Sequence, residues 1–246
     1  MKKDLYFLVL LIILLIAMDY NFIDGFLIKT FQNGGNERET IFVERIIDGD
    51  TIESSMGNVR LLGINCPERG ERGYEQAKEY LNERILNKSV ALQYGNEEKD
   101  KYERILGYIF LEDLNVNLEL VEKGYANFYF PSGKDRYYSE FKSAWEKCIS
   151  NGINLCEKSD NPCGECITLK EFDYSNEIVV LRNICDIDCD LDDWSIKDEG
   201  RKKLILNFSL GSLEDKEIMF EDVWTSTGDT LLLRDENERL VLWKSY

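Results

Sequence analysis

Residues 60–68 read RLLGINCPE, an apolar run that begins on Arg60 and ends, just past a proline, on Glu68. Two other stretches have the same character. Residues 46–53 read IIDGDTIE, and residues 100–110 read DKYERILGYIF. Each joins an apolar, strand-like segment to charged residues at one end. These three stretches decide both the predicted fold and the candidate site.

The first half of the chain reads as strands with interspersed helices. Apolar or alternating runs predict five strands, at residues 41–47, 51–55, 59–64, 89–94 and 104–110. Apolar residues at helical spacing, with Ala77, Leu81 and Ile85 as the clearest set, predict the first of three helices. The segments 117–126 and 138–149 predict the other two. Five strands and three helices fit a small Greek-key barrel of the OB type.

The sequence pattern changes after Cys156, where short β segments are separated by turn residues and no helical pattern appears. This spacing predicts a β-sandwich. The fold class is therefore α+β followed by all-β. We expect an OB-type five-stranded barrel domain at residues 39–157 and a sandwich domain at residues 163–246.

The N-terminus reads MKKDLYFLVLLIILLIAMDYN, in which two lysines precede 14 apolar residues. The run is short for a spanning helix and suits a secretory signal. Residues 1–20 are predicted to be a signal peptide or an uncleaved signal anchor, followed by a tether at residues 21–38. The lysines place the N-terminus inside, so the rest is expected to be extracellular or at the cell surface.

The chain has seven cysteines and no histidine. A CxxC followed by a CxxxC could form a four-thiolate zinc site. An exported protein more often uses such cysteines for disulfides, which we favour. The odd count leaves at least one thiol unpaired, and Cys66 is the expected one. The candidate zinc ligands are Cys163, Cys166, Cys185 and Cys189.

The net charge of −17 argues against a broad basic surface for nucleic acid. A polyanionic partner would need a local cluster of arginine and lysine, or a bound cation. Asp48 and Asp50 offer oxygen ligands that suit Ca²⁺ or Mg²⁺. Taken alone, the DGDT sequence favours a simple Asx turn between strands over a metal site.

In this order and with these gaps, the three stretches resemble the staphylococcal nuclease (thermonuclease) family. The resemblance covers about residues 41–157. It implies an OB-type barrel and Ca²⁺-dependent cleavage of phosphodiesters in DNA and RNA. It also implies that Arg60 and Arg104 clamp the phosphate, since their planar forks suit two oxygens each. Glu68 would orient or activate the attacking water. The buried run is then a strand that delivers a cation and a carboxylate to one phosphate.

The resemblance implies further ligands. Asp50 would be a carboxylate ligand of Ca²⁺, and Cys66 would offer its backbone carbonyl to the metal. Lys101 and Tyr102 would lie beside the bound nucleotide, and Tyr129 is a looser match for the same role.

Two positions depart from the family pattern. Asn65 stands where the family usually has an aspartate that ligates the metal. An amide oxygen can still ligate Ca²⁺, so we expect a weaker site and tighter calcium binding in Asn65→Asp. Glu103 stands where a glycine is usual, and it could pair with Arg104 and blunt it.

The second half resembles the lamin-tail domain, an immunoglobulin-like sandwich, over about residues 165–246. Trp194 stands where that family has its core tryptophan. Residues 185–192 alternate apolar and acidic side chains, which predicts a strand with an apolar face and a solvated acidic face rather than a metal loop. Such domains act as binding or positioning modules, and the ligand of this one is not given by the sequence.

The resulting interpretation is an exported or membrane-anchored Ca²⁺-dependent nuclease that acts on DNA and RNA. The N-terminal segment would contact the membrane if it is not cleaved. Two alternatives stay open. One is a catalytically weak OB-fold module that binds nucleic acid. The other is an envelope protein in which the sandwich is the working part.

Overall fold

A computed structural model describes residues 37–200, 202–225 and 228–246. The predicted signal segment, residues 1–20, and nearly all of the predicted tether lie outside the described residues. Within the described ranges, no helix is both long enough and apolar enough to cross a membrane.

Five strands close into a barrel in the first part of the chain. They are β1 (Glu39–Asp48), β2 (Thr51–Ser54), β3 (Gly57–Leu61), β5 (Ser89–Lys99) and β6 (Ile105–Leu111). They lie in the order β3-β2-β1-β5-β6, and a parallel pairing of β3 with β6 closes the ring. The short β7 (Leu114–Asn115) continues the sheet beside β6, while β4 (Gly63–Asn65) pairs with β8 (Asn127–Tyr129).

The alternation in β1 explains why it forms a barrel strand. Ile41, Val43 and Ile46 are buried, while most of their neighbours along the strand face solvent. The strand ends at the DGD turn. Gly49 is required there because a Cβ would lie 2.8 Å from the Sγ of Cys66.

Three helices pack on the barrel: α1 (Tyr74–Ile85), α2 (Val116–Glu122) and α3 (Tyr138–Asn151). The predicted apolar stripe of α1 is buried as expected. After α2, Gly124 adopts a φ of 70°, which places it in the left-handed region and ends the helix.

The C-terminal region, which we define as residues 163–246, contains nine short strands within its described residues. They are β9 (Ile167–Asp173), β10 (Ile178–Asn183), β11 (Cys189–Asp190), β12 (Ser195–Lys197), β13 (Lys203–Ile205), β14 (Ser209–Leu210), β15 (Asp215–Met219), β16 (Thr230–Arg234) and β17 (Leu240–Ser245). They form several small sheets, around a second core that contains the buried Trp194. The predicted fold class, an OB-type barrel with three helices followed by a β-sandwich, is confirmed.

One local prediction in this region is wrong. Residues 185–192 were expected to form one strand with an apolar face, but only Cys189–Asp190 is a strand, and Ile187 is 49% exposed. The reason is covalent and local. Cys185 and Cys189 are each bonded to a separate cysteine of the segment before β9, and Asn183 folds the chain back by donating to the Ile187 carbonyl.

The cysteines form disulfides, as favoured from the sequence. All seven lie within the described residues. The bonded pairs are Cys148–Cys156, Cys163–Cys189 and Cys166–Cys185. The four candidate zinc ligands are consumed by two of these bonds, so the zinc alternative has no support. The predicted unpaired thiol is Cys66, which is buried.

The C-terminal region packs directly against the barrel. Residues 40–246 form one compact unit. Leu232 and Leu240 belong to the same apolar core as the barrel strands, and Trp243 meets Trp145 edge to face with ring centroids 6.5 Å apart. The buried Arg234 donates a hydrogen bond of 2.7 Å to the Leu155 carbonyl. These contacts fix the second half of the chain beside the predicted site.

Candidate active site

Barrel closure brings the three diagnostic stretches together. Arg60 lies on β3 opposite Thr51 of β2, so it stands next to Asp50 in the turn between β1 and β2. In the parallel pairing with β6, Arg60 is opposite Leu106, two residues after Arg104. Arg60 thus lies on β3, and Arg104 lies directly before β6, the strand that pairs with β3.

Asp50 is the centre of the cluster. Its Oδ2 lies 3.0 Å from Nη2 of Arg60 and accepts a hydrogen bond of 3.1 Å from the Cys66 amide. Its Oδ1 accepts from the Thr51 hydroxyl at 3.0 Å. The side chains of Asp50 and Arg60 are only 13% and 12% exposed. The carboxylate is thus held rigidly beside both the arginine and the predicted backbone ligand.

Asp48 forms the second acidic group of the turn. Its Oδ1 accepts a hydrogen bond of 3.2 Å from the Asp50 amide, which is the Asx turn considered from the sequence. Burial raises the pKa of Asp48, and the negative charge of Asp50 raises this pKa further. A cation between these two carboxylates would relieve that repulsion.

Arg104 is held by Asp100, not by the predicted Glu103. Its Nε and Nη2 lie 2.8 and 2.7 Å from Oδ2 of Asp100. Glu103 instead pairs with Lys99 at 3.2 Å and has a left-handed φ of 62°. Although partial burial raises the pKa of Asp100, hydrogen bonds from Arg104 outweigh it and hold this pKa below its usual value. The Asp100 carboxylate therefore holds the Arg104 guanidinium in one orientation within this loop.

Glu68 lies on an exposed turn just after β4, and a reciprocal pair of hydrogen bonds closes this turn. The Glu68 amide donates to Oε2 of Glu71 at 2.8 Å, and the Glu71 amide donates to the Glu68 carbonyl at 2.9 Å. The predicted catalytic carboxylate is therefore carried on a structured turn rather than on an unsupported loop.

A cavity of about 270 Å³ lies beside Leu62 and Leu106, and the side chains of Asp50, Arg60, Glu68 and Arg104 do not line it. Tyr129 lines this cavity together with Leu62 and Leu106. The residue whose match to the family pattern is looser therefore lies at a cavity that could hold a ligand. Burial raises the pKa of the Tyr129 hydroxyl. Lys101 and Tyr102 do not line the cavity. They stand exposed on the Arg104 loop, with the Tyr102 ring 5.6 Å from that guanidinium.

Asn65 has an unexpected partner. Its Nδ2 donates to the main-chain carbonyls of Glu199 at 3.1 Å and Gly200 at 2.9 Å, both in the C-terminal region. Its Oδ1 accepts a long hydrogen bond of 3.5 Å from Nη2 of Arg60. The amide group thus joins the predicted phosphate arginine to a segment far along the chain.

That segment brings further acidic side chains near the site, which sequence reasoning missed. Burial raises the pKa of Glu199 to about 8 and that of Asp198 to about 6. Glu199 accepts from the Thr230 hydroxyl, and its amide donates to Asp229. No spacing or periodicity links these residues to the barrel motifs, so the sequence carried no signal for them.

The residues fit a hard divalent cation in part. Within the described part of the chain, no three histidine, cysteine, aspartate or glutamate side chains are grouped so as to hold a metal ion. The available donors are oxygens: the carboxylates of Asp48 and Asp50 and the amide oxygen of Asn65. Oxygen donors suit Ca²⁺, and the mutual repulsion of the two carboxylates favours a cation.

The fold defines a class, namely OB-type barrel proteins with three packed helices, here followed by a strand-rich region. A sequence model of the family described as Staphylococcal nuclease homologue matches residues 58–158. The thermonuclease of Staphylococcus intermedius is 28% identical over 170 residues, which are 64% of this chain and 100% of that protein. The thermonuclease of Staphylococcus hyicus is 30% identical over 148 residues, 54% of this chain and 87% of that protein.

An uncharacterized endonuclease of Haemophilus influenzae is 33% identical over 124 residues, 48% of this chain and 67% of that protein. The chain belongs to the staphylococcal nuclease homologue family. The family match ends at residue 158, so the likeness of the C-terminal region to a lamin-tail domain stays a prediction.

Proposed function

We propose that this protein is a Ca²⁺-dependent nuclease that hydrolyses phosphodiester bonds in DNA and RNA. The observation that carries the proposal is that Asp50 lies 3.0 Å from Arg60 and accepts the Cys66 amide, while Arg104 directly precedes the strand that pairs with β3. The names of the relatives, two thermonucleases and an endonuclease, support it.

In this proposal Arg60 and Arg104 bind the phosphate and stabilise the negative charge that develops on its oxygens. Both guanidinium groups are already oriented by carboxylates, Asp50 and Asp100 respectively. Because the forks are fixed before substrate arrives, little rearrangement is needed when a phosphate binds.

Glu68 acts on the attacking water. The water oxygen forms a bond to phosphorus, its proton passes to the Glu68 carboxylate, and the bond from phosphorus to the leaving oxygen breaks. The leaving oxygen then takes a proton from solvent. The turn closed by Glu71 holds the backbone that carries the Glu68 carboxylate.

Asp50, the amide oxygen of Asn65 and the backbone carbonyl of Cys66 would hold the Ca²⁺ ion. When bound, the ion supplies positive charge that polarises a phosphate oxygen. The amide of Asn65 brings no negative charge and is also engaged with the C-terminal region. A weak calcium site is therefore expected.

The nucleotide next to the cleaved bond would occupy the cavity lined by Tyr129, while Lys101 and Tyr102 contact the strand at the mouth of the site. On a chain of net charge −17, these groups and the arginines would be the few cationic contacts for a polyanion, helped by the bound Ca²⁺. We therefore expect modest affinity with a shallow dependence on salt.

Three disulfides are typical of an oxidising compartment. We infer an extracellular or cell-surface protein that is secreted, or anchored by residues 1–20. The barrel domain, residues 39–157, would be the enzyme. The sandwich, residues 163–246, would be a lamin-tail-like module that positions it or binds an unidentified ligand.

The test is degradation of single-stranded DNA by residues 37–246, with millimolar Ca²⁺ and with chelator. Wild type, Glu68→Gln and the control Glu79→Gln, an exposed helix position, are compared. Cleavage that needs Ca²⁺ and falls at least about 100-fold only in Glu68→Gln supports the proposal. Equal cleavage by all three proteins, or none by folded wild type, contradicts it.

A second candidate is a catalytically weak OB-fold module that binds nucleic acid. The engagement of Asn65 with Glu199 and Gly200 favours this candidate, because it ties a predicted metal ligand to other partners. Fluorescence anisotropy with a labelled oligonucleotide in chelator separates the two. Tight binding without Ca²⁺ and without cleavage would select the binding module.

A further inference from the structure

The end of β12 reaches the turn that carries Glu68. Nζ of Lys197 lies 3.3 Å from both carboxylate oxygens of Glu71. The two side chains are 12% and 31% exposed, so this ion pair is partly shielded from water. A cation of the C-terminal region is therefore in direct contact with the turn of the candidate active site.

Glu71 connects this cation to Glu68. Its Oε2 accepts the Glu68 amide, and its own amide returns a hydrogen bond to the Glu68 carbonyl. The same carboxylate thus receives the Lys197 ammonium on one side and the Glu68 backbone on the other. Fixing the Glu71 carboxylate fixes the backbone from which the Glu68 side chain projects.

Lys197 is itself held from both sides. β12 pairs with β13 and β16, and Lys197 is opposite Lys203 in one pairing and Leu232 in the other. Immediately beyond it, the carbonyls of Glu199 and Gly200 accept the Asn65 amide. The position of Lys197 relative to the barrel is therefore set by the sheet and by a second contact at the site.

We propose that Lys197 is a positioning residue for Glu68, and that it acts through Glu71. The inference rests on the proposed function, in which Glu68 takes a proton from the attacking water. It assigns the C-terminal region a part in the chemistry of the barrel, because the Glu71 carboxylate that closes the turn of Glu68 is also paired with Lys197 at the end of β12.

The charge state of Glu71 agrees with this role. Partial burial raises the pKa of Glu71, but the Glu68 amide and the charge of Lys197 outweigh burial and hold this pKa below its usual value. Lys203 adds a smaller effect in the same direction. The carboxylate therefore stays ionised and able to accept the Glu68 amide.

The test compares Lys197→Met with Lys197→Arg, which keeps the charge, and with Lys170→Met as the matched control. Lys170 also forms an ion pair within the C-terminal region, with Asp215, but this pair does not include Glu71. In single-stranded DNA cleavage, Lys197→Met is expected to lower kcat about tenfold with KM changed less than about twofold. Lys197→Arg restores most of kcat, and Lys170→Met matches wild type.

A second measurement does not depend on activity. Hydrogen exchange of the Glu68 amide should accelerate in Lys197→Met and stay at the wild-type rate in Lys170→Met, in proteins shown to be folded by thermal unfolding. An unchanged kcat, an equal loss in the control, or unchanged exchange at Glu68 overturns the inference. If wild type cleaves no nucleic acid, the proposed function fails, and the exchange rates alone decide whether Lys197 holds the turn.

Discussion

The side-chain amide of Asn65 donates a hydrogen bond of 2.9 Å to the main-chain carbonyl of Gly200, 135 positions further along the chain. A second bond from the same nitrogen goes to the Glu199 carbonyl. Asn65 is 3% exposed, so water offers no substitute for either bond. The position that the family resemblance assigns to a metal ligand is, in this chain, also one of the points where the two halves meet.

Asn65→Asp should destabilise the protein in chelator. A carboxylate has no hydrogen to donate and would face two carbonyl oxygens in a buried place. We expect the free energy of unfolding in urea to fall by about 2 kcal/mol. Asn58→Asp, the same change at an exposed position of β3, should alter it by less than about 0.5 kcal/mol.

Equal stability of Asn65→Asp and wild type would contradict this prediction. Calcium titration of the same variant tests the separate prediction, made from the sequence, that an aspartate at residue 65 binds the ion more tightly. Equal affinity of the two proteins would refute it.

Glu103→Gly should leave activity intact and raise stability. Glu103 has a φ of 62°, a conformation that costs a side-chain-bearing residue about 1–2 kcal/mol. Since glycine avoids this cost but loses more chain entropy, the expected net gain is about 0.5 kcal/mol. Cleavage is unaffected because Arg104 pairs with Asp100.

The matched control is Glu98→Gly, an exposed position of the extended strand β5, where glycine should lower the free energy of unfolding by about 0.5–1 kcal/mol. Both values come from urea unfolding. If both glycine substitutions change the free energy of unfolding in the same direction, the left-handed backbone at Glu103 is not the cause of the effect.

The barrel was predictable because it is encoded by local patterns. Ile41, Val43 and Ile46 alternate along β1, and Ala77 and Leu81 recur at helical spacing, so local sequence sets which face is buried. The candidate site residues were taken from the resemblance to a nuclease family, and the fold explains why they can lie close together. Asp50, Arg60 and Arg104 lie at strand ends, and barrel closure must bring those ends together.

The contacts between the two halves were not predictable in the same way. Lys197 meets Glu71 across 126 positions, and Asn65 meets Glu199 across 134, and neither pair has a periodic or motif signature. Such pairs depend on how the folded barrel packs against the folded C-terminal region. Local reasoning also assigned Glu103 to Arg104 by adjacency, whereas the loop geometry places Asp100 there.

The two disulfides of the C-terminal region should be required for its stability. Cys163–Cys189 and Cys166–Cys185 join residues 26 and 19 positions apart, and closing loops of this size contributes about 2–4 kcal/mol each. Replacing both cysteines of either pair by serine should lower the free energy of unfolding by that amount. A non-reducing peptide map that links Cys163 to Cys166 would contradict the assigned pairing.

In chelator, stability should fall as pH rises from about 5 to about 8, and Glu199 should cause most of the change. Burial raises its pKa from 4.5 to about 8 in the folded protein. Between these values the folded state keeps a proton that the unfolded chain has lost, so the free energy of unfolding decreases with rising pH. At about 1.4 kcal/mol per pKa unit, the loss is on the order of 4 kcal/mol.

Urea unfolding at pH 5, 6.5 and 8 measures this slope. Glu199→Gln removes the titrating group and should flatten the slope, while Glu217→Gln, an exposed position on β15, should keep it. Carboxyls with lowered pKa values, such as Glu71 and Asp100, affect stability only at more acidic pH, so they do not contribute to the slope between pH 5 and 8. Asp198, with a pKa of about 6, also contributes to the slope at the acidic end of this window. Stability that rises between pH 6.5 and 8, or a slope in that interval that survives in Glu199→Gln, would show that Glu199 is ionised in the folded protein.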